Sequence, residues 1–408
     1  MRHVVFVAPF FLDTTLRFVD AVADLADVRL SLVSQDPLEK LPDGLRSKLA
    51  AHWRIDDGLA AGQIAGAVEA LARRHGPVER LLGALEQLQV PLDEVRDALG
   101  ISGMGAETAR NFRDKARMKE VLQAAGVPCA RHARLRDEAE AWRFVGDVGY
   151  PVVLKPVAGA GAASTFRVAS GDELRAALAA NPPGAGREVV AEEFVVGDEH
   201  SLDTVSLAGT AVWHSISEYT PAPLTVVENP WIQWTVLLPR EIDDPHFDAI
   251  RRIGSSALTA LGMGTGLSHM EWFRRRDGSV VVSEVGARPP GAQIVTLMSR
   301  AHDIDLYAAW ARLMVFDTFE APVERKYAAG AAFLRGLGAG RVRATHGLDA
   351  VLAELGDMVT DVGRPRPGQE QSRSYEGEGY VVVRHPETRV VEEALLKIVT
   401  SVRVELVA

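Results

Sequence analysis

The sequence has little cysteine and no long uninterrupted apolar run. The single cysteine among 408 residues, Cys129, excludes an intrachain disulfide and a metal site built from several cysteines. No segment approaches the ~20 apolar residues of a membrane-spanning helix, and Pro9 and Asp13 interrupt the apolar stretch that begins MRHVVFV. We therefore interpret this start as a first β-strand rather than a signal peptide, and expect a cytoplasmic protein without a membrane partner.

Positive charge is scarcer than negative charge. The chain has 45 Lys and Arg residues against 55 Asp and Glu residues, which gives a formal net charge of −10. This balance argues against nucleic acid or an anionic membrane as the main partner. The length exceeds what one hydrophobic core supports, so we expect two or three domains, and the sequence leaves a homodimer open.

Three familiar sequence patterns are absent. The chain has no G-x-S-x-G of a serine hydrolase, no Walker A P-loop and no G-x-G-x-x-G dinucleotide fingerprint. What is present at the start is a β-α-β pattern, HVVFVAPF, RFVDAVADLADV and RLSLVSQD, which predicts the beginning of a parallel sheet.

A lysine followed by nearly bare backbone marks the stretch GYPVVLKPVAGAGAASTFRV. Lys155 ends a predicted strand, and the loop after it, which contains Gly159, Gly161 and Ser164, is almost free of large side chains. Uncovered backbone N–H groups can form a concave anion site, to which a lysine adds a point charge that suits phosphate. The alternative is a flexible surface turn after a strand.

A predicted hairpin over residues 268–286 brings two carboxylates together. If Asp277-Gly278 is a two-residue turn, Glu271 and Glu284 lie directly opposite each other, with Cβ atoms roughly 5 Å apart. Such a pair needs a shared proton or a bound cation, and oxygen ligands suit Mg²⁺ or Mn²⁺.

The alternative for these two carboxylates is a solvated pair on an exposed face of the sheet. We expect burial instead, because the same pairing places apolar side chains of Phe273, Val280 and Val282 on the face of the two glutamates. His269, two residues before Glu271 in the strand, is expected on that face as a site-lining residue, although most histidines are structural.

Two further segments have ordinary interpretations beside functional ones. In AEEFVVGDEHSLD, glutamates surround an apolar trio, which suits recognition of an adenine edge and a ribose, or equally an edge strand with charged ends. Arg288 follows the hairpin in GARPPG and could offer its planar fork to phosphate, or it could be a surface arginine.

Taken in order, these parts resemble the ATP-grasp superfamily, and within it the carboxylate–amine ligases that build dipeptides and related amides. The resemblance rests on RDKARMK, VVLKP with its small-residue loop, EEFVVGDEHSLD, HMEW and SEVGARPPG, and covers roughly residues 100–300. It implies an ATP-grasp fold of two α+β subdomains gripping ATP, preceded by a Rossmann-like parallel-sheet domain and followed by a small α+β unit. The implied domains are residues 1–100, 101–190 (lid subdomain), 191–324 (large subdomain) and 325–408.

For the nucleotide, the resemblance implies that Lys115 and Lys155 bind ATP phosphates and that the loop 159–165 closes over the triphosphate. The hinge that holds adenine and ribose would contain the following residues: Glu192, Phe194, Val195 and Glu199.

For the metal and the reacting groups, it implies that Glu271 and Glu284 bind magnesium ions and that Arg288, with Lys155, stabilises an acyl-phosphate. The sequence departs from the family at Gly286, where members commonly have Asn, and this puts the metal geometry in doubt.

A proline-rich segment, SEYTPAPLTVVENPWIQW, lies between the predicted adenine-binding strands and the metal hairpin. Similar family members place substrate contacts in the corresponding loop, so we expect Glu228 to pair with an amino-acid ammonium group and Trp231 to shape the pocket. Ala292 would leave room for a larger acid side chain. The alternative is a surface crossover whose tryptophans anchor the core.

The resemblance implies an ATP-dependent ligase that joins a small-molecule carboxylate to an amine through an acyl-phosphate. The alternatives are a biotin-carboxylase-like or nucleotide-synthesis enzyme on the same fold, and a nucleotide-binding regulatory protein without catalysis. The residues do not identify the acid or the amine.

Overall fold

The computed structural model describes residues 1–159, 165–184, 188–229, 231–372 and 374–407. Its architecture is the expected one: a parallel-sheet unit, a small antiparallel sheet and a large antiparallel sheet. In the part of the chain that the structure describes, none of the helices combines the length and the apolar character that crossing a bilayer requires.

The N-terminal unit confirms the β-α-β prediction. Its strands are β1 (Arg2–Val7), β2 (Val28–Ser34), β3 (Ala51–Arg54) and β4 (Arg80–Leu82), and its helices are α1 (Asp13–Ala23), α2 (Asp43–Arg46), α3 (Ala61–His75) and α4 (Gln89–Leu99). The four strands are parallel in the order β3-β2-β1-β4. A continuous apolar run in β1 fits this position, because side chains on both faces of a central parallel strand are covered.

The next part of the chain contains the small sheet. Its elements are α5 (Ala106–Arg113), α6 (Lys115–Ala124), β5 (His132–Leu135), α7 (Glu138–Val148), β6 (Val152–Pro156), β7 (Phe166–Val168), α8 (Gly171–Ala180) and β8 (Val189–Glu193). The four strands are antiparallel in the order β5-β8-β6-β7. Asp114 caps α6 by accepting hydrogen bonds from the N–H groups of Ala116 and Arg117, so the helix starts at Lys115.

The large sheet begins with a second group of elements. These are β9 (Asp198–Leu207), β10 (Thr210–Thr220), α9 (Pro223–Glu228), β11 (Trp234–Leu238), α10 (Asp248–Leu261), β12 (Gly266–Arg274), β13 (Val280–Gly286), α11 (Ile294–His302) and α12 (Leu306–Phe316). Strands β12 and β9 pair over nine residues, which places Glu199, Glu271 and His269 on one face of the sheet.

The last part of the chain continues the same sheet. Its elements are β14 (Ala328–Leu334), β15 (Gly336–Leu337), β16 (Arg341–His346), α13 (Leu348–Leu355), β17 (Val359–Gly363), β18 (Gly379–His385), α14 (Thr388–Ser401) and β19 (Arg403–Val407). The large sheet crosses the boundary expected near residue 325, because its strand order is β13-β12-β9-β10-β11-β14-β18-β17. A separate three-stranded sheet contains β15, β19 and β16. Residues after 325 therefore share a sheet with the β12–β13 hairpin.

Candidate active site

A cavity of about 160 Å³ lies between the small sheet and the large sheet. It brings together twelve residues that the sequence predicted for the site: Lys115, Lys155, Gly159, Glu192, Phe194, Val195, Glu199, His269, Glu271, Glu284, Arg288 and Ala292. Gly161 and Ser164, and with them most of the predicted lid loop, lie outside the described residues.

The hairpin has the expected carboxylate pair but a different turn. Arg275, not Arg276, lies opposite Ser279, because its N–H donates to the Ser279 carbonyl (2.9 Å) and the loop contains three residues rather than two. Gly278 takes a φ of +81°, which glycine tolerates at the end of such a loop. A bulge at Ser283 then adds one residue to β13, so Glu271 pairs with Glu284 as predicted.

The bulge also changes which side chains share the face of the glutamates. Phe273 lines the cavity as expected, but Val280 and Val282 pair with Arg274 and Trp272 on the opposite face. The prediction for these two valines was wrong, because the pairing next to the turn is shifted by one residue until the bulge corrects it.

Glu271 and Glu284 have different electrostatic surroundings. Burial, and then the charge of Glu284, raise the pKa of Glu271. Burial alone would also raise the pKa of Glu284, but the positive charges of Lys115 and Lys155 lower it to about 2. Glu284 is therefore anionic at neutral pH, whereas among the described residues Glu271 has no closer partner than His269 Nε2, at 3.9 Å from its carboxylate.

Two lysines reach the cavity from different elements. The Lys115 N–H donates to the Val157 carbonyl (2.9 Å), which joins the start of α6 to the end of β6, and its ammonium group contacts Glu284 and the Gly159 carbonyl. Lys155 Nζ lies 3.0 Å from Glu192 Oε2. Burial lowers the pKa of Lys155, but Glu192 and Glu284 outweigh it and raise the pKa.

Sequence reasoning missed a third lysine beneath these two. Lys119 is fully buried, donates to the carbonyl of Ser283 at the bulge (2.8 Å), and lies 3.5 Å from Glu192 Oε1. It connects α6, the small sheet and the metal hairpin. Its spacing of four residues from Lys115 on one helix was a signal that could have shown it. We call Lys115, Lys119, Lys155, Glu192, Glu271 and Glu284 the charged end of the cavity.

The connection between β8 and β9 contains residues predicted for the hinge. The Phe194 N–H donates to the Pro151 carbonyl (3.2 Å), and the guanidinium group of Arg167 lies 4.4 Å from the centre of the Phe194 ring. Val195 and Glu199 also line the cavity, and burial followed by the charge of Glu271 raises the pKa of Glu199 well above its ordinary value. The Glu192 side chain lies against Lys155 and Lys119. Only the backbone groups of Glu192 are therefore available to contact a bound base.

Arg288 is held by a residue of the N-terminal unit that the sequence did not indicate. Its Nε donates to Glu86 Oε2 (2.5 Å) and its Nη1 to the Pro289 carbonyl (3.0 Å). The charge of Glu86 outweighs burial and raises the pKa of Arg288. A Cβ at Gly286 would lie 3.4 Å from Glu86 Oε2 and 3.5 Å from Arg288 Nε, so this ion pair takes the place of the usual asparagine side chain.

His269 is oriented by a buried carboxylate. Its Nδ1 lies 2.7 Å from Asp203 Oδ1, and Ser201 donates to the other oxygen of Asp203 (2.8 Å). Because Asp203 is fully buried and β9 pairs with β12, the imidazole ring is held with its Nε2 towards Glu271.

Aromatic rings form the other end of the cavity. Tyr219, Trp234 and Tyr375 line it, together with Pro223, Leu224, Ala292 and Ile294. We call the three rings the aromatic end. The segment that supplies Trp234 was predicted, but Glu228 and Trp231 are not among the described lining residues, because both are exposed, Trp231 to 63%. Tyr375 was not predicted.

Ala292 stands at the junction of the two ends in an unusual backbone conformation. It has a φ of +51° and Gln293 a φ of +57°, a region that costs non-glycine residues free energy and that surrounding contacts must maintain. The Ala292 N–H donates to Glu376 Oε1 (3.3 Å), so the segment after Arg288 is tied to the C-terminal part of the chain.

Comparison with known proteins identifies a domain in the part of the chain that contains most of the cavity lining. Residues 120–302 match the ATP-grasp domain. The chain is 26% identical over 278 residues to an L-arginine-specific L-amino acid ligase of Bacillus subtilis, an alignment that covers 67% of this chain and 66% of that protein, just under two thirds of its length.

Two solved structures share the fold. An L-amino acid ligase from Bacillus licheniformis superposes with a TM-score of 0.82 at 18% identity, covering 100% of this chain and 99% of the other. A carboxyaminoimidazole ribonucleotide synthase from Aspergillus clavatus, complexed with ATP, gives a TM-score of 0.71 at 18% identity and covers 98% of both chains. With its cavity between two sheets and the matched segment at its centre, the chain contains an ATP-grasp domain over residues 120–302.

Proposed function

We propose that the protein is an ATP-dependent carboxylate–amine ligase that joins amino-acid-like substrates through an acyl-phosphate. The observation that carries the proposal is the convergence, in one cavity, of Lys115, Lys155, the Glu271–Glu284 pair and Arg288. These groups are suited to binding a polyphosphate and a carboxylate side by side. The similarity to amino acid ligases supports the same substrate class.

The charged end fits magnesium. Glu271 and Glu284 face each other on neighbouring strands, and burial leaves the Glu271 carboxylate without a hydrogen-bond donor among the described residues, so a cation would relieve their repulsion. No group of three or more metal-ligating side chains occurs in the described part of the chain. This agrees with Mg²⁺, which commonly binds one or two carboxylates and completes its shell with phosphate oxygens and water. When bound, the ion would neutralise phosphate charge and orient the transferred group.

The nucleotide would lie across the hinge with its phosphates towards the two lysines. Phe194 and Val195 provide backbone groups and an apolar surface for a base, and Glu199 lies where a carboxylate can accept hydrogen bonds from ribose hydroxyls. Lys155 is cationic because Glu192 and Glu284 raise its pKa. The lid role of residues 159–165 remains a prediction, because residues 160–164 lie outside the described chain.

In the first step, a substrate carboxylate oxygen attacks the γ-phosphorus of ATP, the bond to the β-phosphate oxygen breaks, and ADP leaves. Negative charge develops on the transferred group, so catalysis depends mostly on positioned cations. Glu86 occupies one edge of Arg288 and leaves guanidinium N–H groups for the cavity. We infer that these hold the carboxylate and then the acyl-phosphate.

In the second step, the nitrogen of the amine attacks the acyl carbon, the carbon–oxygen bond to phosphate breaks, and the amine loses a proton. The departing group is inorganic phosphate, whose charge Arg288 and the lysines can stabilise. No side-chain nucleophile is required, which agrees with a cavity lined by cations, carboxylates and rings.

The experiment is a screen of ADP and phosphate release with ATP, Mg²⁺ and pairs of amino acids. We expect release above the ATP-only rate for some pairs, with a product mass equal to the sum of the two substrates minus one water. Release that depends on bicarbonate with a single acceptor would favour the carboxylase alternative. Tight nucleotide binding without release for any pair would favour the regulatory alternative and contradict the proposal.

A further inference from the structure

A segment from the C-terminal part of the chain enters the cavity. The connection between β17 and β18 brings Tyr375 into its lining, although β17 and β18 lie at the far edge of the large sheet. No role in the reaction proposed above requires this residue. The proposed reaction therefore does not explain why Tyr375 lines the cavity.

The segment around Tyr375 is held by several polar contacts. Glu378, which is 6% exposed, accepts hydrogen bonds from the N–H groups of Gly336 (2.6 Å) and Ser372 (2.8 Å). Glu376 accepts from the N–H of Ala292 (3.3 Å), beside Arg288. Two carboxylates thus fasten the segment to the sheet and to the site. Pre-organisation of this kind is what a binding group needs, because it lowers the entropy lost on binding.

The ring of Tyr375 completes an apolar wall. It meets Trp234 edge-on, with 4.7 Å between ring centres and 65° between the ring planes. Trp234 in turn stacks on Phe333 (4.8 Å) and lies 5.8 Å from Tyr219. Trp234 is 1% exposed, so it is fixed, and Tyr375 is half-buried with part of its surface on the cavity.

The hydroxyl group of Tyr375 has no hydrogen-bond partner among the described residues. Burial, and then the charges of Glu376 and Glu271, raise the pKa of Tyr375 above its ordinary value, so the group is a hydrogen-bond donor at physiological pH. A hydroxyl donor that lines the same cavity as Arg288 is suited to an anionic oxygen of the substrate.

We propose that Tyr375 binds the acid substrate, donating its hydroxyl hydrogen to the substrate carboxylate held by Arg288, and that the aromatic end receives an uncharged, apolar side chain. The acid substrate is then an amino acid of the leucine or phenylalanine class. This inference rests on the proposed ligase function and specifies its substrate.

The charges around the aromatic end support an apolar occupant. Glu376 is engaged with the Ala292 N–H, and the guanidinium group of Arg335 with the carbonyls of Val226 and Ile232. The other described neighbours at this end are Pro223, Leu224 and Ile294. The described residues that line this end carry no carboxylate, ammonium or guanidinium group of their own, which suits an apolar side chain.

Two substitutions distinguish the contribution of the Tyr375 hydroxyl group from that of its ring. Tyr375→Phe removes only the hydroxyl, and we expect it to raise the KM for L-leucine about tenfold, because the hydrogen bond is made to a charged group. Tyr375→Ala also removes the wall, and we expect it to abolish a preference for L-leucine over glycine in kcat/KM. Both variants should keep the KM for ATP within about twofold of the wild-type value. Tyr150→Phe, at an exposed tyrosine outside the cavity lining, is the matched control.

A second measurement makes the test independent of turnover. Calorimetric titration of L-leucine, glycine and L-aspartate into protein loaded with Mg²⁺ and a non-hydrolysable ATP analogue should rank leucine first, and Tyr375→Ala should remove that ranking. Unchanged ranking and unchanged KM values in both variants would overturn the proposal. If the wild-type protein releases no ADP with any amino-acid pair, the ligase function fails, and the titration still decides whether Tyr375 binds an amino acid.

Discussion

The charged end of the cavity is held together by attraction between ionised groups, whereas the aromatic end is held together by ring packing. At the charged end, Lys119 and Lys155 flank Glu192, and Lys115 contacts Glu284. At the aromatic end, Trp234 contacts Phe333, Tyr219 and Tyr375. In the function proposed above, the charged end balances the charge of phosphates and metal, and the aromatic end selects the shape of the substrate.

The charged end and the aromatic end are also built from different secondary-structure elements. The charged end draws on α6, β6, β8 and the β12–β13 hairpin, which lie between residues 115 and 286. The aromatic end needs β10, β11 and the connection before β18, which the strand order of the large sheet brings together. Substitutions at the charged end should therefore change turnover, and substitutions at the aromatic end should change substrate choice.

The largest effect is expected for Glu284→Gln. The substitution keeps the shape but removes the charge that is needed beside Glu271 for a divalent cation, so ADP release should fall by about a hundredfold or more, with the fold retained. Steady-state kinetics over a range of magnesium concentrations and a far-ultraviolet circular dichroism spectrum are the measurements. Glu320→Gln, at an exposed glutamate, is the control. Wild-type turnover in Glu284→Gln at limiting magnesium would rule out the metal assignment.

Lys119→Met should have the next largest effect. It leaves the Ser283 carbonyl and Glu192 Oε1 without their buried cation, so we expect a loss of about 3 kcal/mol in the free energy of unfolding and a KM for ATP raised about tenfold. Denaturant unfolding and nucleotide titration measure the two effects. Lys397→Met, at a partly exposed lysine of α14, should change neither. A stability loss without any change in ATP affinity would show that Lys119 supports the fold but not the charged end.

Two buried histidines outside the cavity lining should contribute to the pH dependence of stability. Burial, and then the charge of Arg274, lower the pKa of His200 from 6.5 to about 4. Burial, and then the charge of Arg325, lower the pKa of His302 from 6.5 to about 4. The unfolded chain then binds more protons than the folded chain between pH 6.5 and about 4. Stability therefore falls as the pH drops through this window, by on the order of 3 kcal/mol for each histidine. Below about pH 4 these two groups contribute no further loss.

His200→Phe tests this attribution. The ring still stacks on Trp272, which lies 4.4 Å from the imidazole ring on the sheet face away from the cavity, but it cannot bind a proton. Denaturant unfolding at pH 7, 5.5 and 4.5 should show a shallower pH dependence than the wild-type protein. An unchanged slope would assign the acid sensitivity to other groups.

The smallest effect is expected for Glu228→Ala. The segment that carries Glu228 suggested a contact with a substrate ammonium group, but the side chain is exposed and is not among the described cavity-lining residues. We therefore expect the KM values for the amino acid and for ATP to stay within about twofold of wild type. A strong rise in the amino-acid KM alone would restore the prediction from the sequence and extend the aromatic end beyond Trp234.

The β12–β13 hairpin shows which features could be predicted from the sequence and which could not. Alternation along two strands joined by Asp277-Gly278 was enough to predict the Glu271–Glu284 pair. It was not enough to predict the three-residue turn or the bulge at Ser283, whose shifts cancel at the glutamates but not at Val280 and Val282. A bulge depends on what the carbonyl it exposes can bond to, here Lys119 on another element.

The contact of Glu86 with Arg288, next to Gly286, is a second feature that the sequence could not predict. The missing asparagine was visible in the sequence, but the side chains that take its place come from the N-terminal unit and from Arg288. Two residues that lie so far apart along the chain form an ion pair only after the units have packed together. Nothing in the local composition around either residue indicates the other.

The sequence by itself predicted the fold class and the Glu271–Glu284 pair, because strand alternation acts over a few neighbouring residues, and the resemblance to the ATP-grasp superfamily added Lys115 and Lys155. The tertiary structure decided the aromatic end. Tyr219, Trp234 and Tyr375 become neighbours only through the strand order β10-β11-β14-β18 and the two carboxylates, Glu376 and Glu378, that fasten the last segment. Non-local strand pairing of this kind leaves no periodic signal in the chain.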